Sequence, residues 1–252
     1  MVQAIDGDEN VARFRREVLP ALVMKFRPSR VLVFGSRARA QALQHSDLDV
    51  LVVSPAFAEM KWLDRAARVY EDCDIHLDVE LLCYTPEEYA SKLEELGIVR
   101  TATLEGVDLL GGPPARVSEP RPPRPERVRA WLAQAERDLD AAAACREAGH
   151  HEWACFAAQQ GAEKAVKGLL LQFGREGRGH ILVRLLERLP PDASAPSALT
   201  EHARVLDDCY LPARYPNSHA EGAPCEHFGP RKSDRAIAGA RVILEFCRSR
   251  VA

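Results

Sequence analysis

The sequence predicts two folds in one chain of 252 residues: an α/β (α+β) first half and an all-α second half. The first half alternates short apolar, β-branched runs with amphipathic segments, which is typical of strands alternating with helices. The second half holds segments of helical period and no convincing strand, which predicts a helical bundle. Between them, "GGPPARVSEPRPPRP" is too rich in proline for a helix interior or a central strand.

Chain length and proline content together predict the domain limits. We expect residues 1–110 to form one domain, residues 111–125 an extended linker, and residues 126–252 a second domain. The net charge of -3 gives no general attraction to nucleic acid or membrane. The sequence contains no run of about 18 apolar residues, so no membrane span is expected. Seven cysteines without paired spacing indicate reduced thiols, so we expect a cytoplasmic protein without a membrane partner.

The elements of the first half follow from periodicity and from helix-start signals. A helix is expected over residues 8–27, and another at "SRARAQAL" with Ser36 as its N-cap. Further helices are expected at "MKWLDRAARVYEDC" and at "TPEEYASKLEEL", which opens with Thr-Pro and a Glu pair. Three strands are expected at "RVLVF", "DLDVLVV" and "HLDVELLCY".

The second half is predicted to be five amphipathic helices joined by short loops. The predicted helices are "PERVRAWLAQAERDLDAAAACREAG", "HEWACFAAQQGAEKAVKGLLLQFG", "HILVRLLERL", "APSALTEHARVLDDCY" and "PRKSDRAIAGARVILEFCRSR". The first two end at Gly149 and Gly174, and a pair of prolines follows the third.

Two carboxylates, Asp47 and Asp49, stand two residues apart at the entry of a predicted strand. Side chains at i and i+2 of a strand point to the same face, so both carboxylates aim at one point. Like charges that close repel each other by about 4 kcal/mol at an effective dielectric near 20, so a compensating positive charge is expected. A divalent cation with hard oxygen ligands fits, and Mg²⁺ is the usual ion where phosphates complete its shell.

The Gly35–Ser36 turn before this strand has the features of a phosphate site. Glycine lets the backbone approach a ligand closely, and the helix that follows offers free N–H groups. Arg37 and Arg39 add positive charge nearby. With phosphates on one side and metal on the other, the segment predicts nucleotidyl transfer assisted by two metal ions.

A third carboxylate is expected from the neighbouring strand "HLDVELLCY". Asp78 and Glu80 share one face of that strand, so either one can complete the metal site. The other is then a candidate for the base that takes the proton from an acceptor hydroxyl.

Residues 30–95, through "FGSRARA", "SDLDVLVV" and "DVELLCYTPEEY", resemble the minimal nucleotidyltransferase group of the DNA polymerase beta superfamily. The resemblance implies a small mixed sheet flanked by helices, Mg²⁺ dependence and binding of a nucleoside triphosphate. It places Gly35 and Ser36 on the phosphate side, and Asp47 and Asp49 at the metal. The distance to Thr85-Pro86 favours Glu80 as the third metal ligand, while Ala40 stands where the motif often has glycine.

Residues 126–250 resemble a HEPN domain through "AERDLDAAAACREAGHHEWACFAAQQGAEKAVKGLLLQFG", "GHILVRLL" and "LDDCYLPARYPNS". The resemblance implies an up-and-down bundle that tends to dimerise. Many HEPN proteins are metal-independent ribonucleases with an Arg-x(4–6)-His motif. Here "RYPNSH" supplies Arg214 and His219 with four residues between them.

We therefore expect an enzyme that moves a nucleoside monophosphate, AMP from ATP, to a hydroxyl group of a protein or small molecule. A first alternative is a toxin-like ribonuclease that uses Arg214 and His219 on RNA and is restrained by the fused first half. A second alternative is a nucleotide-binding module without catalysis. A homodimer is expected through the Ala- and Leu-rich faces of helices 126–148 and 151–173, which one small bundle would not cover.

Overall fold

The computed structural model describes residues 5, 7–39 and 47–251, and in its first half a mixed sheet of four strands organises the fold. The strands are β1 Arg30–Phe34, β2 Leu48–Val53, β3 Val79–Tyr84 and β4 Val107–Asp108. Their order across the sheet is β3, β2, β1, β4. Strand β2 runs parallel to β3, and β1 is antiparallel to both β2 and β4. The predicted small mixed sheet is thus confirmed.

Helices cover both faces of this sheet. Within the described part of the first half they are α1 Glu9–Arg13, α2 Leu19–Phe26, α3 Gly35–Ala38, α4 Trp62–Cys73, α5 Pro86–Leu93 and α6 Ile98–Glu105. One face packs residues such as Val31, Val50 and Val52 against α1, α2 and α4. The other packs Leu51 and Val53 against α5 and α6. Two buried faces explain why the strands read as nearly continuous apolar runs.

The predicted helix over residues 8–27 is present with one irregularity. A turn of π-helix, Phe14–Val18, joins α1 to α2. The side chain of Asp8 accepts hydrogen bonds from two amides of the first turn and so caps α1. Helix α5 begins as predicted, since Thr85 and Glu88 form a capping box.

Ser36 is not the N-cap of α3, so that prediction is wrong. The helix begins one residue earlier, at Gly35, and the cap residue is Phe34, whose side chain accepts no hydrogen bond. Gly35 adopts a φ of 74°, which turns the chain out of β1 immediately and lets the helix begin there. The rest of the predicted helix, including Ala40, lies outside the described residues. Helix α6 and strand β4 are additional elements that the sequence does not predict.

The second half is a helical bundle, which confirms the predicted all-α class. Its helices within the described residues are α7 Pro125–Glu147, α8 His151–Gln172, α9 Leu182–Leu186, α10 Ser197–Asp207, α11 Pro224–His227 and α12 Pro230–Arg248. Helix α9 is shorter than predicted because the carboxylate of Asp207 accepts the amides of Leu182 and Val183 and fixes its start there. His180 therefore lies before the helix and not in its first turn.

Small residues let α7 and α8 approach each other closely. A Cβ at Gly168 would lie 2.9 Å from the Cβ of Trp131, closer than side chains tolerate. Alanines such as Ala135 and Ala162 are completely buried at the same contact. The Ala-rich pattern thus specifies this helix pair. The apolar stripe of α7 is covered within the unit, because none of the exposed large apolar side chains of the described residues belongs to α7.

The chain separates into two compact units, residues 1–121 and residues 122–252. Much of the predicted linker 111–125 therefore belongs to the first unit. The guanidinium of Arg30 donates to the carbonyl of Pro113, and the amide of Arg121 donates to the carbonyl of Glu94. Pro125 is already the first residue of α7. In the described part of the chain, no helix is both long and apolar enough to cross a membrane.

Candidate functional site

The predicted phosphate turn and the predicted acids meet at one end of the sheet. Asp49 of β2 pairs with Phe34 of β1 on one side and with Glu80 of β3 on the other. Directly paired residues project to the same face of a sheet, so the carboxylates of Asp49 and Glu80 are neighbours. Gly35 follows Phe34 and brings the turn beside Asp49.

Gly35 is the point of closest approach between the turn and the acids. A Cβ on Gly35 would lie only 1.9 Å from Oδ2 of Asp49 and 2.9 Å from its Cγ. The carboxylate of Asp49 therefore occupies the space that a side chain at position 35 would fill. The positive φ of residue 35 independently favours glycine at that position.

Asp49 lies in an environment that disfavours its charge. Partial burial raises the pKa of this carboxyl, and the charges of Glu80 and Asp47 raise it further. Arg39 and Arg37 lower it without cancelling the increase. Burial and the two neighbouring acids therefore disfavour the charged form of Asp49 more than the two arginines favour it.

The other two acids lie at the strand entries. Asp47 and Asp78 are exposed and immediately precede β2 and β3, respectively. Burial raises the pKa of Tyr70, and the nearby charges of Asp47, Asp78 and Glu80 add to that increase. The hydroxyl of Tyr70 donates to the carbonyl of Val79. Tyr70 thus lies close to three of the acids, a relation that the sequence pattern alone does not reveal.

Arg37 is buried and held by an ion pair. Its Nη1 lies 2.8 Å from Oδ2 of Asp8, and only 7% of its side chain is exposed. Arg37 therefore ties α3 to the cap of α1 while its charge still acts on Asp49. Arg39 is more exposed and pairs with Glu105 of α6 at 3.1 Å.

The donor set at this end of the sheet fits a hard divalent cation. Carboxylate oxygens are the ligands that Mg²⁺ prefers, and the carboxylates of Asp47 and Glu80 lie close enough to Asp49 to act on its pKa. Within the described ranges, no three His, Cys, Asp or Glu side chains are grouped so that they could hold a metal ion.

In the helical unit, the structure does not bring Arg214 and His219 into contact. The guanidinium of Arg214 lies over the rings of Tyr210, Phe156 and Tyr215. His219 instead donates through Nε2 to the carbonyl of Pro212 at 2.7 Å and stacks on another histidine. The resemblance to HEPN ribonucleases suggested the pair, and tertiary contacts give the two residues different surroundings.

Comparison with known proteins divides the chain in the same way. The family model for a nucleotidyltransferase domain matches residues 15–106, and the family model for a HEPN domain matches residues 128–250. Among curated proteins no significant match was found.

Three solved structures that match the chain each cover half of it or less. TT1696 from Thermus thermophilus is 42% identical over 49% of this chain and 98% of its own, with a TM-score of 0.49. ST0689, an archaeal HEPN homologue, is 42% identical over 50% of this chain and 98% of its own, with a TM-score of 0.44. A candidate nucleotidyltransferase from Sulfolobus solfataricus is 26% identical over 40% of this chain and 82% of its own, with a TM-score of 0.30.

The family matches agree with the order of the two folds and with the position of the acidic site in the first of them. The chain therefore belongs to both families: it is a nucleotidyltransferase domain followed by a HEPN domain.

Proposed function

We propose that the first half transfers a nucleoside monophosphate, AMP from ATP, to a hydroxyl group on a protein or a small molecule. The observation that carries this proposal is the contact between Gly35 and Asp49, beside Glu80. It brings a turn suited to phosphates against a cluster of carboxylates in which the charged form of Asp49 is disfavoured. A triphosphate would give the turn its phosphate ligand, and Mg²⁺ would give the carboxylates a positive charge.

Each residue has a separate task in this proposal. Backbone amides at Gly35 and Ser36 bind the phosphates, and the charge of Arg37 supports them. Asp47, Asp49 and Glu80 hold Mg²⁺. When bound there, the ion would supply positive charge to the triphosphate and a template for its orientation toward the acceptor.

The reaction exchanges one bond at the α-phosphorus for another. A bond forms between the acceptor oxygen and the α-phosphorus, while the bond from the α-phosphorus to the bridging oxygen breaks and pyrophosphate leaves. Asp78, exposed at the entry of β3, takes the proton from the acceptor hydroxyl.

Incubation with α-labelled ATP and Mg²⁺ tests this proposal. We expect release of pyrophosphate and label on an acceptor, both abolished by EDTA. Fractionated cell extract provides candidate acceptors, with protein and small-molecule fractions assayed separately. ATP binding by calorimetry without turnover on any fraction would instead favour the nucleotide-binding module.

Glu80 and Asp78 should respond differently to neutralisation. Glu80→Gln removes a proposed metal ligand, so we expect Mg²⁺-dependent ATP binding to weaken at least about tenfold, the range found for disturbed metal sites. Asp78→Asn removes the proposed base, so ATP binding should persist while turnover falls by about 10²- to 10⁴-fold. Calorimetry and pyrophosphate release measure the two effects, and the reverse pattern would exchange the two roles.

Arg37 combines a structural contact with its proposed role at the phosphates, and Asp8→Asn separates the two. Both Arg37→Gln and Asp8→Asn break a largely buried ion pair, so each should lower the free energy of unfolding by about 3 kcal/mol. The Asp8→Asn variant retains the ability to cap α1, because asparagine is also a good N-cap residue. Only Arg37→Gln should also weaken ATP binding, by about tenfold or more. Equal loss of ATP affinity in both variants would reduce Arg37 to a structural role.

A second candidate activity, a toxin-like ribonuclease restrained by the first half, belongs to the HEPN half. One observation favours it: Arg214 lies among three aromatic rings, and no carboxylate pairs with it among the described residues. Such a cation beside aromatic rings suits RNA phosphates and bases. Cleavage of RNA in EDTA, faster after the first half is inactivated, would support a toxin–antitoxin arrangement, with Arg214 and His219 as the motif residues.

The proposed assembly is a homodimer through the helical half. Trp153 and Val242 are exposed there by 49% and 47% and offer apolar surface for a second copy. Light scattering at micromolar concentration tests it, and a monomeric mass would contradict it.

A further inference from the structure

Arg214 is held in a fixed position by three aromatic rings of the helical unit. Its guanidinium carbon lies 4.4 Å from the ring centre of Tyr210, 4.6 Å from that of Phe156 and 4.9 Å from that of Tyr215. Its Nε donates to the carbonyl of Tyr210 at 2.9 Å. In the described part of the chain no acidic side chain pairs with Arg214. An oxyanion is therefore the ligand that suits its two terminal nitrogens.

His180 is oriented by a buried carboxylate. Its Nδ1 lies 3.1 Å from Oε1 of Glu163, whose side chain is only 6% exposed. Burial acts to raise the pKa of Glu163, but Lys167, His180 and Gln159 outweigh it and keep that pKa below its usual value. An ionised carboxylate only accepts hydrogen bonds, so Nδ1 of His180 must carry the proton.

This tautomer leaves Nε2 of His180 as a proton acceptor. The ring is more than half exposed, with 53% of the side chain accessible, so a ligand can reach Nε2. A base oriented by a third group is the arrangement that proton transfer in catalysis requires. Glu163 is then a positioning residue, acting through His180.

Tyr210 connects these two groups. The ring of His180 stacks on it with centres 4.8 Å apart and planes at 11°, and the guanidinium of Arg214 lies over the same ring. A base and a cation for an oxyanion are therefore fixed by one aromatic side chain. Three side chains next to His180, Tyr210 and Arg214 in the sequence are strongly exposed, namely Ile181, Leu211 and Tyr215, and so is Trp153, whose ring contacts that of Phe156.

His219, the histidine of the Arg-x₄-His motif, is less suited to the same task. Its Nε2 donates to the carbonyl of Pro212, and its ring stacks on His227 with centres 4.1 Å apart.

We propose that His180, oriented by Glu163, is the proton-transferring partner of Arg214 in a site that cleaves phosphodiesters of single-stranded RNA. The inference rests on the second activity proposed above and reassigns its histidine. Exposed aromatic rings stack with unpaired bases, which favours single strands over duplexes. Arg214 holds the phosphate.

The step balances without a co-reactant other than water. Nε2 of His180 takes the proton of a 2′-hydroxyl, whose oxygen forms a bond to the adjacent phosphorus. The bond from phosphorus to the 5′-oxygen breaks, and that oxygen takes a proton from water. The products are a 2′,3′-cyclic phosphate and a 5′-hydroxyl, and His180 later returns its proton to the solvent.

The test uses the full chain carrying Asp49→Asn, which inactivates the first half, in EDTA with a fluorescent single-stranded RNA oligonucleotide; each further variant is made in this background. His180→Gln should lower the cleavage rate by about 10²- to 10⁴-fold, the usual contribution of a general base. His219→Gln should lower it far less, and His150→Gln, at an exposed position before α8, should not change it. Added imidazole should restore cleavage to His180→Ala, which a purely structural role would not allow. Glu163→Gln should change the pH profile of cleavage.

Three results would overturn the inference. If His219→Gln abolishes cleavage while His180→Gln retains it, the motif histidine is the base and the ribonuclease activity stands without this site. If both variants lose activity and imidazole does not restore cleavage to His180→Ala, His180 is structural. If the Asp49→Asn chain unfolds cooperatively on heating, and is therefore folded, but cleaves no RNA, the ribonuclease activity itself fails, and this inference with it.

Discussion

Asp49→Asn is expected to abolish nucleotidyl transfer and, at neutral pH, to stabilise the fold. Metal-assisted charge stabilisation contributes several kcal/mol to such reactions, so loss of this ligand should lower turnover at least about 10³-fold. Mg²⁺-dependent ATP binding should be lost with it. The gain in stability follows from the environment of the carboxyl group. Burial raises the pKa of this group, and the neighbouring acids Glu80 and Asp47 raise it further.

The sign of the stability effect follows from proton linkage. A carboxyl group with a raised pKa binds its proton more tightly in the folded chain than in the unfolded chain, so folding is opposed once the proton leaves. The penalty is absent below the ordinary pKa of about 3.9 and grows as pH rises through the interval up to the raised value. It persists at higher pH, and asparagine removes it.

Urea unfolding at pH 7.5 and pH 4 measures this effect. The difference in the free energy of unfolding between Asp49→Asn and the wild type should be positive and larger at pH 7.5. Asp192→Asn, at an exposed position of the helical half, is the matched control and should show no such difference. A variant that is inactive and also less stable at pH 7.5 would mean that Asp49 is not under electrostatic strain.

The sequence predicts which residues meet at one end of the sheet in the first half, because the relevant relations are short-range. Asp47 and Asp49 share a face by strand geometry alone, and Gly35 follows a strand whose apolar run is evident. The resemblance favours Glu80 over Asp78 as the third metal ligand, and the register of β2 against β3 pairs Glu80 with Asp49. No local pattern encodes that register.

Other features could not be predicted because tertiary contacts create them. The start of α9 at Leu182 depends on Asp207, which is far along the chain and caps it from α10. His180 owes its surroundings to Glu163 and Tyr210, which lie on α8 and just after α10. Spacing between residues of one segment is visible in a sequence, whereas a carboxylate brought from another helix is not.

Gly35→Ala is expected to disable the first half as severely as the loss of Asp49, through the same contact. The new Cβ would lie 1.9 Å from Oδ2 of Asp49, so the carboxylate or the turn must move. A φ of 74° adds about 1–2 kcal/mol of backbone strain for any residue with a side chain. We expect loss of ATP binding together with a lower free energy of unfolding.

A double-mutant cycle separates the clash from the backbone strain. In an Asp49→Ala background the carboxylate is absent, so Gly35→Ala should cost only the strain, about 1–2 kcal/mol. In the wild-type background Gly35→Ala should lower the free energy of unfolding by more than this. The difference between the two losses measures the contact between residue 35 and Asp49. Gly111→Ala, at a φ of 69° with open space around the glycine, is the matched control for strain without a clash. Equal costs in both backgrounds would mean that Asp49 does not occupy the space beside Gly35, and the proposed meeting of phosphate turn and metal ligands would lose its main support.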